Sequence, residues 1–96
     1  MAPERIQFVR NPDFIFRQIV EEMILVPVYQ NVADMDAIFT LNPLGAFVWE
    51  RLAEPIGLEA LQAAILQEFD VDPETALTDL EAFLSEMETI NAVKRV

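Results

Sequence analysis

The 96 residues contain no cysteine and no histidine, and only one serine (Ser85) and one lysine (Lys94). Without cysteine no disulfide framework argues for export. Without either residue type there is no thiolate nucleophile, no imidazole base and no ordinary zinc site. Neither Ser85 nor Lys94 stands beside an activating base in sequence. The two glycines, Gly45 and Gly57, are far apart, so no glycine-rich loop cradles a phosphate. Carboxylates are the acid–base groups that remain, and the chain is read as a non-enzyme that needs no cofactor and no metal. Long hydrophobic runs are also missing. The longest, residues 23–29, is broken by Pro27 and falls far short of the ~20 residues of a membrane span. The opening Met1-Ala2-Pro3-Glu4-Arg5 lacks the basic segment and apolar core of a signal peptide. A cytoplasmic protein with no membrane partner is expected.

What is present is apolar and acidic. Hydrophobic residues make up 53% of the chain, with seven Phe and one Trp, enough for a folded chain with one core and so for a single domain over residues 1–96. The net charge is −11. Residues 50–88 hold eleven acids (Glu50, Glu54, Glu59, Glu68, Asp70, Asp72, Glu74, Asp79, Glu81, Glu86, Glu88) against one base, Arg51. Such a surface repels phosphate backbones, whose binding depends on Lys and Arg, so no nucleic-acid partner is expected. An acidic surface of this kind is either a solvated face or one that steers a basic partner.

Along the chain, residues 1–12 read as an N-terminal arm, with Ile6, Phe8 and Val9 able to dock on the body. Asn11-Pro12-Asp13 is turn chemistry. Three strands are predicted over residues 14–20, 23–28 and 36–41, joined by polar turns at Glu21-Glu22 and at residues 31–34; short connections favour an antiparallel meander. Pro27 cannot donate to a ladder, which places it at an edge or at the finish of its strand. Three helices follow. Leu44, Phe47, Val48 and Leu52 share one face of the first, over residues 43–53. Leu58, Leu61, Ile65 and Phe69 mark the second, to about residue 70. Ala76, Leu77, Leu80, Phe83, Leu84, Met87 and Ile90 form a wide stripe on the third, wider than two short helices require. Residues 92–96 either return as a short strand or fray. The fold class is α+β, winged-helix-like, a three-stranded antiparallel sheet followed by three helices.

Individual residues admit bland and functional readings. Asp70, Asp72, Glu74 and Glu81 imitate the spacing of a calcium loop, yet Thr75 stands where that loop needs glycine; acids at a helix N-terminus are favourable without any metal. Trp49, beside Val48 and a turn from Leu52, reads as a packing residue before a ligand-stacking one. Ile38, Phe39, Leu80 and Leu84 are core candidates first. Their functional reading is a sheet edge with an apolar groove, where an extended peptide adds as a strand.

The sharpest local signal is the strand-to-helix junction Leu41-Asn42-Pro43-Leu44-Gly45-Ala46-Phe47-Val48-Trp49. Asn42 is placed to cap the helix and Pro43 fits its first position, where no N–H is required. Together with Val26-Pro27, Leu61 to Phe69, Val71-Asp72-Pro73-Glu74 and Asp79 to Leu84, this junction resembles the PqqD-like family of RiPP recognition elements over most of the chain, from about Arg10 to Val96. The resemblance implies a winged-helix-like domain that binds the leader of a ribosomally made precursor peptide and presents it to a modifying enzyme, often a radical S-adenosylmethionine protein. The leader adds beside the third strand, in a groove closed by the third helix. Carried over by position, the peptide edge is Asp36, Ala37, Ile38, Phe39 and Thr40, and the helix offers Leu77, Leu80, Glu81 and Leu84. Two positions depart from the family pattern: Gly57 arrives late after Pro55, and Asn91 stands where a final glycine is common. Asn tolerates the left-handed conformation, so a cap there is expected to survive.

Two other functions compete. A winged-helix DNA-binding regulator needs basic residues on its recognition helix, and the second and third predicted helices have none. A structural module would form a homodimer through exposed strand edges or the wide helical stripe.

Overall fold

The computed structural model describes residues 6–19, 22–27 and 39–96. In chain order the elements are β1 (Gln7–Arg10), β2 (Phe14–Ile19), β3 (Glu22–Pro27), β4 (Phe39–Leu41), α1 (Pro43–Arg51), β5 (Ile56–Gly57), α2 (Leu58–Glu68), α3 (Pro73–Thr89) and β6 (Val93–Arg95). The class is α+β, with the expected three-stranded antiparallel meander β2-β3-β4 and three helices.

Register follows from which side chains are apolar. Phe16 pairs with Leu25 and Leu25 with Phe39, while Met23 pairs with Leu41. Side chains alternate along a strand, so this register puts Phe14, Phe16, Met23, Leu25, Phe39 and Leu41 on one face, packed on or within the core. Ile15 and Arg17 take the other face and are exposed. A one-residue slip would turn the whole apolar set to solvent. Pro27 closes β3 opposite Phe14, beyond the last residue that β4 pairs with. The missing N–H therefore interrupts no ladder bond to β4. The predicted turn at residues 31–34, with Val20, Glu21 and Val28, lies outside the described residues.

The helices begin and end where their capping chemistry dictates. Asn42 accepts the Gly45 N–H at 2.7 Å, with Pro43 in the first turn of α1. Asp72 does the same for α3, accepting from the Thr75 N–H at 3.2 Å and from the Thr75 hydroxyl at 2.8 Å. These bonds hold the Asp72 carboxyl below its ordinary pKa, the Thr75 hydroxyl contributing most. The carboxylate that sequence spacing offered to calcium is thus a helix cap. At the other end of α3, Asn91 sits at φ 69°. The Ala92 N–H donates to Met87 O at 2.8 Å and the Asn91 N–H to Glu88 O at 3.0 Å. This is a Schellman cap with Asn in the place of glycine, its apolar contact supplied by buried Ala92 and Met87.

The core lies between the helices and the two sheets. Val48, Leu52, Leu61, Ile65 and Leu80 are fully buried, and Trp49 is 1% exposed. Trp49 is a packing residue.

A second small sheet, of order β5-β1-β6, was not anticipated. Residues 7–10, read as part of an arm, form its central strand, pairing with β5 through Phe8↔Ile56 and with β6 through Phe8↔Arg95. Phe8 docks as expected and is buried, whereas Ile6 is exposed. Of the two readings of residues 92–96, the returning strand is the one formed. Asn11 secures the corner, its backbone N–H donating to Ala92 O and its side-chain amide to Asn91 O, both at 2.8 Å. Its side-chain oxygen accepts from the Asp13 N–H at 2.9 Å, which realises the expected turn.

Candidate functional site

β4 is bonded to β3 along one side and, among the described residues, to no strand along the other. The free side leaves main-chain donors and acceptors available to a further strand. Facing it across an open groove of about 650 Å³ is α3. Phe39, Thr40 and Leu41 form the strand wall, and Leu44 and Gly45 of the first α1 turn contribute one end. The helix wall consists of Asp79, Ala82, Phe83 and Glu86, with Met87 behind them. Asp79, Ala82, Phe83 and Glu86 are spaced i, i+3, i+4 and i+7, which sets them on one helical face.

The position of the Phe83 ring depends on Gly45. A Cβ at residue 45 would lie 3.0 Å from Phe83 Cε1 and 3.2 Å from the capping oxygen of Asn42. Gly45 is not in a left-handed conformation, so close approach is what its missing side chain permits. The strand-to-helix junction therefore does two things: it starts α1, and it lets an aromatic ring of α3 close over that start.

Electrostatically the groove is one-sided. Asp79 and Glu86 line it and are exposed, and among the described residues no Lys or Arg lines it. Three of the four described arginines are engaged elsewhere, and the fourth, Arg17, stands exposed on β2. Arg51 lies 4.4 Å from the centroid of Phe47, Arg95 5.4 Å from that of Phe8, and Arg10 5.6 Å from that of Trp49, all within cation–π range. Arg95 also pairs with Glu88 at 2.7 Å, the one ion pair among the described residues.

The residues expected from sequence divide into three groups. Phe39 and Thr40 stand on the groove wall. Asp36, Ala37 and Ile38 lie outside the described residues. The helical set is on a different face of α3 from the one that lines the groove. Leu80 is 0% and Leu84 3% exposed within the core. Glu81 and Leu84 line a smaller cleft of about 360 Å³, with Phe8, Leu58 and Arg95. Leu77 is half-buried and lines neither. The groove residues that sequence reasoning missed are Asp79, Ala82, Phe83 and Glu86. One signal was available: Phe83 belongs to the stripe that is too wide for packing on two helices.

A further cleft of about 1020 Å³ separates β2 from the small sheet, with Arg10, Phe14, Ile15 and Lys94 on its walls. It is larger, but the groove at β4 lies between a strand edge and α3. Among the described residues no group of three or more carboxylates gathers to hold a metal ion, and no helix is long and apolar enough to cross a membrane.

The family model for coenzyme PQQ synthesis protein D (PqqD) matches residues 19–93. The chain belongs to the PqqD family. The match begins at the end of β2 and runs to the start of β6, so it takes in β4, α3 and the groove between them. No curated protein matches the chain. Among solved structures, that of TbiB1 in complex with the TbiA(beta) leader peptide has the same fold, with a TM-score of 0.71 and 23% sequence identity over 90% of this chain and 94% of that one. That likeness takes in 90% of this chain, a longer stretch than the PqqD match, which ends inside β6.

Proposed function

We propose that this PqqD-family domain is a non-catalytic adaptor in the cytoplasm. It takes the leader of a ribosomally made precursor peptide as an added strand beside β4 and presents it to a modifying enzyme. The observation that carries the proposal is the edge of β4 that no described strand pairs with, facing α3 across a groove with aromatic walls, Phe39 and Phe83. Strand addition draws general affinity from main-chain bonds and selectivity from side-chain pockets. The structural likeness to TbiB1, whose solved complex holds a leader peptide, agrees with it. The absence of His and Cys from the chain leaves it without an imidazole base or a thiolate nucleophile. A nucleic-acid role is disfavoured by charge, since α2 and α3 contain no Lys or Arg to neutralise phosphates.

The test is an NMR titration of isotope-labelled protein with synthetic peptides from the small open reading frames beside its gene. Amide shifts concentrated on Phe39, Thr40, Ala82 and Phe83 are expected. Shifts confined to the β2 cleft, or none with any such peptide, would refute leader binding at this groove.

A further inference from the structure

Taking strand addition at β4 as given, we infer that the groove selects extended segments in which an apolar anchor is flanked by two cations, in the order Lys/Arg, any residue, apolar, any residue, Lys/Arg.

The ordering follows from the spacing on α3. Asp79 and Glu86 are seven residues apart, about 10.5 Å along the helix axis. Ala82 and Phe83 lie between them on the same face. An added strand turns alternate side chains toward α3 and advances about 3.3 Å per residue. Side chains at positions i−2, i and i+2 of that strand therefore point at the helix, and the outer two are about 13 Å apart. That span exceeds the carboxylate spacing by less than the reach of a lysine or arginine side chain. The central side chain meets the Phe83 ring, and small Ala82 leaves room beside it.

The sign of the charge follows from what lines the groove. Both ionisable residues of the lining are acids, and both are exposed. The described arginines on α1, β1 and β6 are held over aromatic rings away from it. The whole chain carries −11, so an anionic segment meets repulsion during approach and again on seating, while a cationic one is steered in. The occupant is thus a basic, apolar-anchored stretch of peptide, and Asp79 and Glu86 are the residues that set this preference.

The experiment uses the full chain and a displayed library of random 12-residue peptides, selected in parallel on the wild type and on an Asp79→Asn/Glu86→Gln double variant. Both substituted positions are exposed, and an amide spectrum checks that the variant folds. Wild-type selections are expected to enrich Lys or Arg two residues to either side of an apolar position. Those peptides should bind the double variant on the order of tenfold more weakly at low salt, with the gap closing in 0.5 M salt. Peptides that map to the groove by amide shifts but show no cation enrichment, or bind both forms equally, overturn this inference and leave strand addition standing. Selections that yield no groove-binding peptide overturn both.

Discussion

Arg10 and Trp49 are joined by two contacts of one guanidinium. Nη1 of Arg10 donates to the Trp49 carbonyl at 3.1 Å, and the guanidinium carbon lies 5.6 Å from the centroid of the Trp49 ring. The Arg10 backbone N–H also donates to Leu52 O at 2.9 Å. A strand residue thereby satisfies carbonyls at the C-terminus of α1 and places a cation at the negative end of its dipole. Replacing Arg10 by Ala removes the cap and the ring contact and is expected to cost about 2 kcal/mol. Arg10→Lys should recover part of that, because an ammonium has no planar fork to stack and donate at once. Urea unfolding of the three forms measures it; equal midpoints for wild type and Arg10→Ala would contradict the assignment.

The left-handed Asn91 gives a second test. At φ 69° an ordinary L-residue is strained by about 1–2 kcal/mol, and Asn is among the few that tolerate the region. Asn91→Ala is expected to lower the melting temperature by about 4–8 °C, the shift that 1 kcal/mol makes in a domain of this size. Asn91→Gly should melt at or above the wild-type temperature. The Asn11 bond to residue 91 accepts at a backbone oxygen and so survives both changes.

Asp72 links stability to pH. Its carboxyl is held below the ordinary value by the Thr75 hydroxyl first and the Thr75 N–H second. A depressed folded-state pKa stabilises the fold above the unfolded-state value, and that contribution is lost as pH falls through the folded one. The stability gap between wild type and Asp72→Ala should therefore narrow below about pH 4. Thr75→Val should weaken the same dependence by removing the hydroxyl. Denaturant titrations of the three forms at neutral and acid pH read the effect; a gap that widened in acid would reverse the assignment.

Two neighbours on α3 should behave oppositely. Leu80 is fully buried, so Leu80→Ala is expected to cost about 2–5 kcal/mol. Asp79, one residue earlier, is exposed on the groove wall, and Asp79→Asn should leave stability within about 0.5 kcal/mol. Guanidinium midpoints for the pair would show whether the face turned to the groove is the one containing Asp79.

That pair also shows how far the sequence could be read. The helix caps were legible because Asn42-Pro43 and Asp72-Pro73 are local chemistry, and the meander because short polar connections between neighbouring strands are local as well. The rotation of α3 was not. Eight apolar residues from Ala76 to Ile90 cover more than one face, and which side of that stripe meets β4 is decided by how Leu80, Leu84 and Met87 seat against the rest of the core. Phe39 and Thr40 were reached by resemblance, while Asp79, Ala82, Phe83 and Glu86 needed the packed structure. The small sheet was hidden for another reason. β5 has two residues, too few for any periodic signal, and the strand it pairs with, β1, comes from a distant part of the chain.

The small sheet has a consequence for synthesis. Phe8 is covered through pairing with Arg95 as well as with Ile56, so the first described strand of the domain waits for the last. A ribosome adding about 5–20 residues per second needs roughly 4–17 s to travel from one to the other. For that interval α1 can form, yet the Ala92 carbonyl that receives Asn11 has still to emerge. The small sheet is completed late, and a chain halted before Val93 would leave one edge of β1 unpaired.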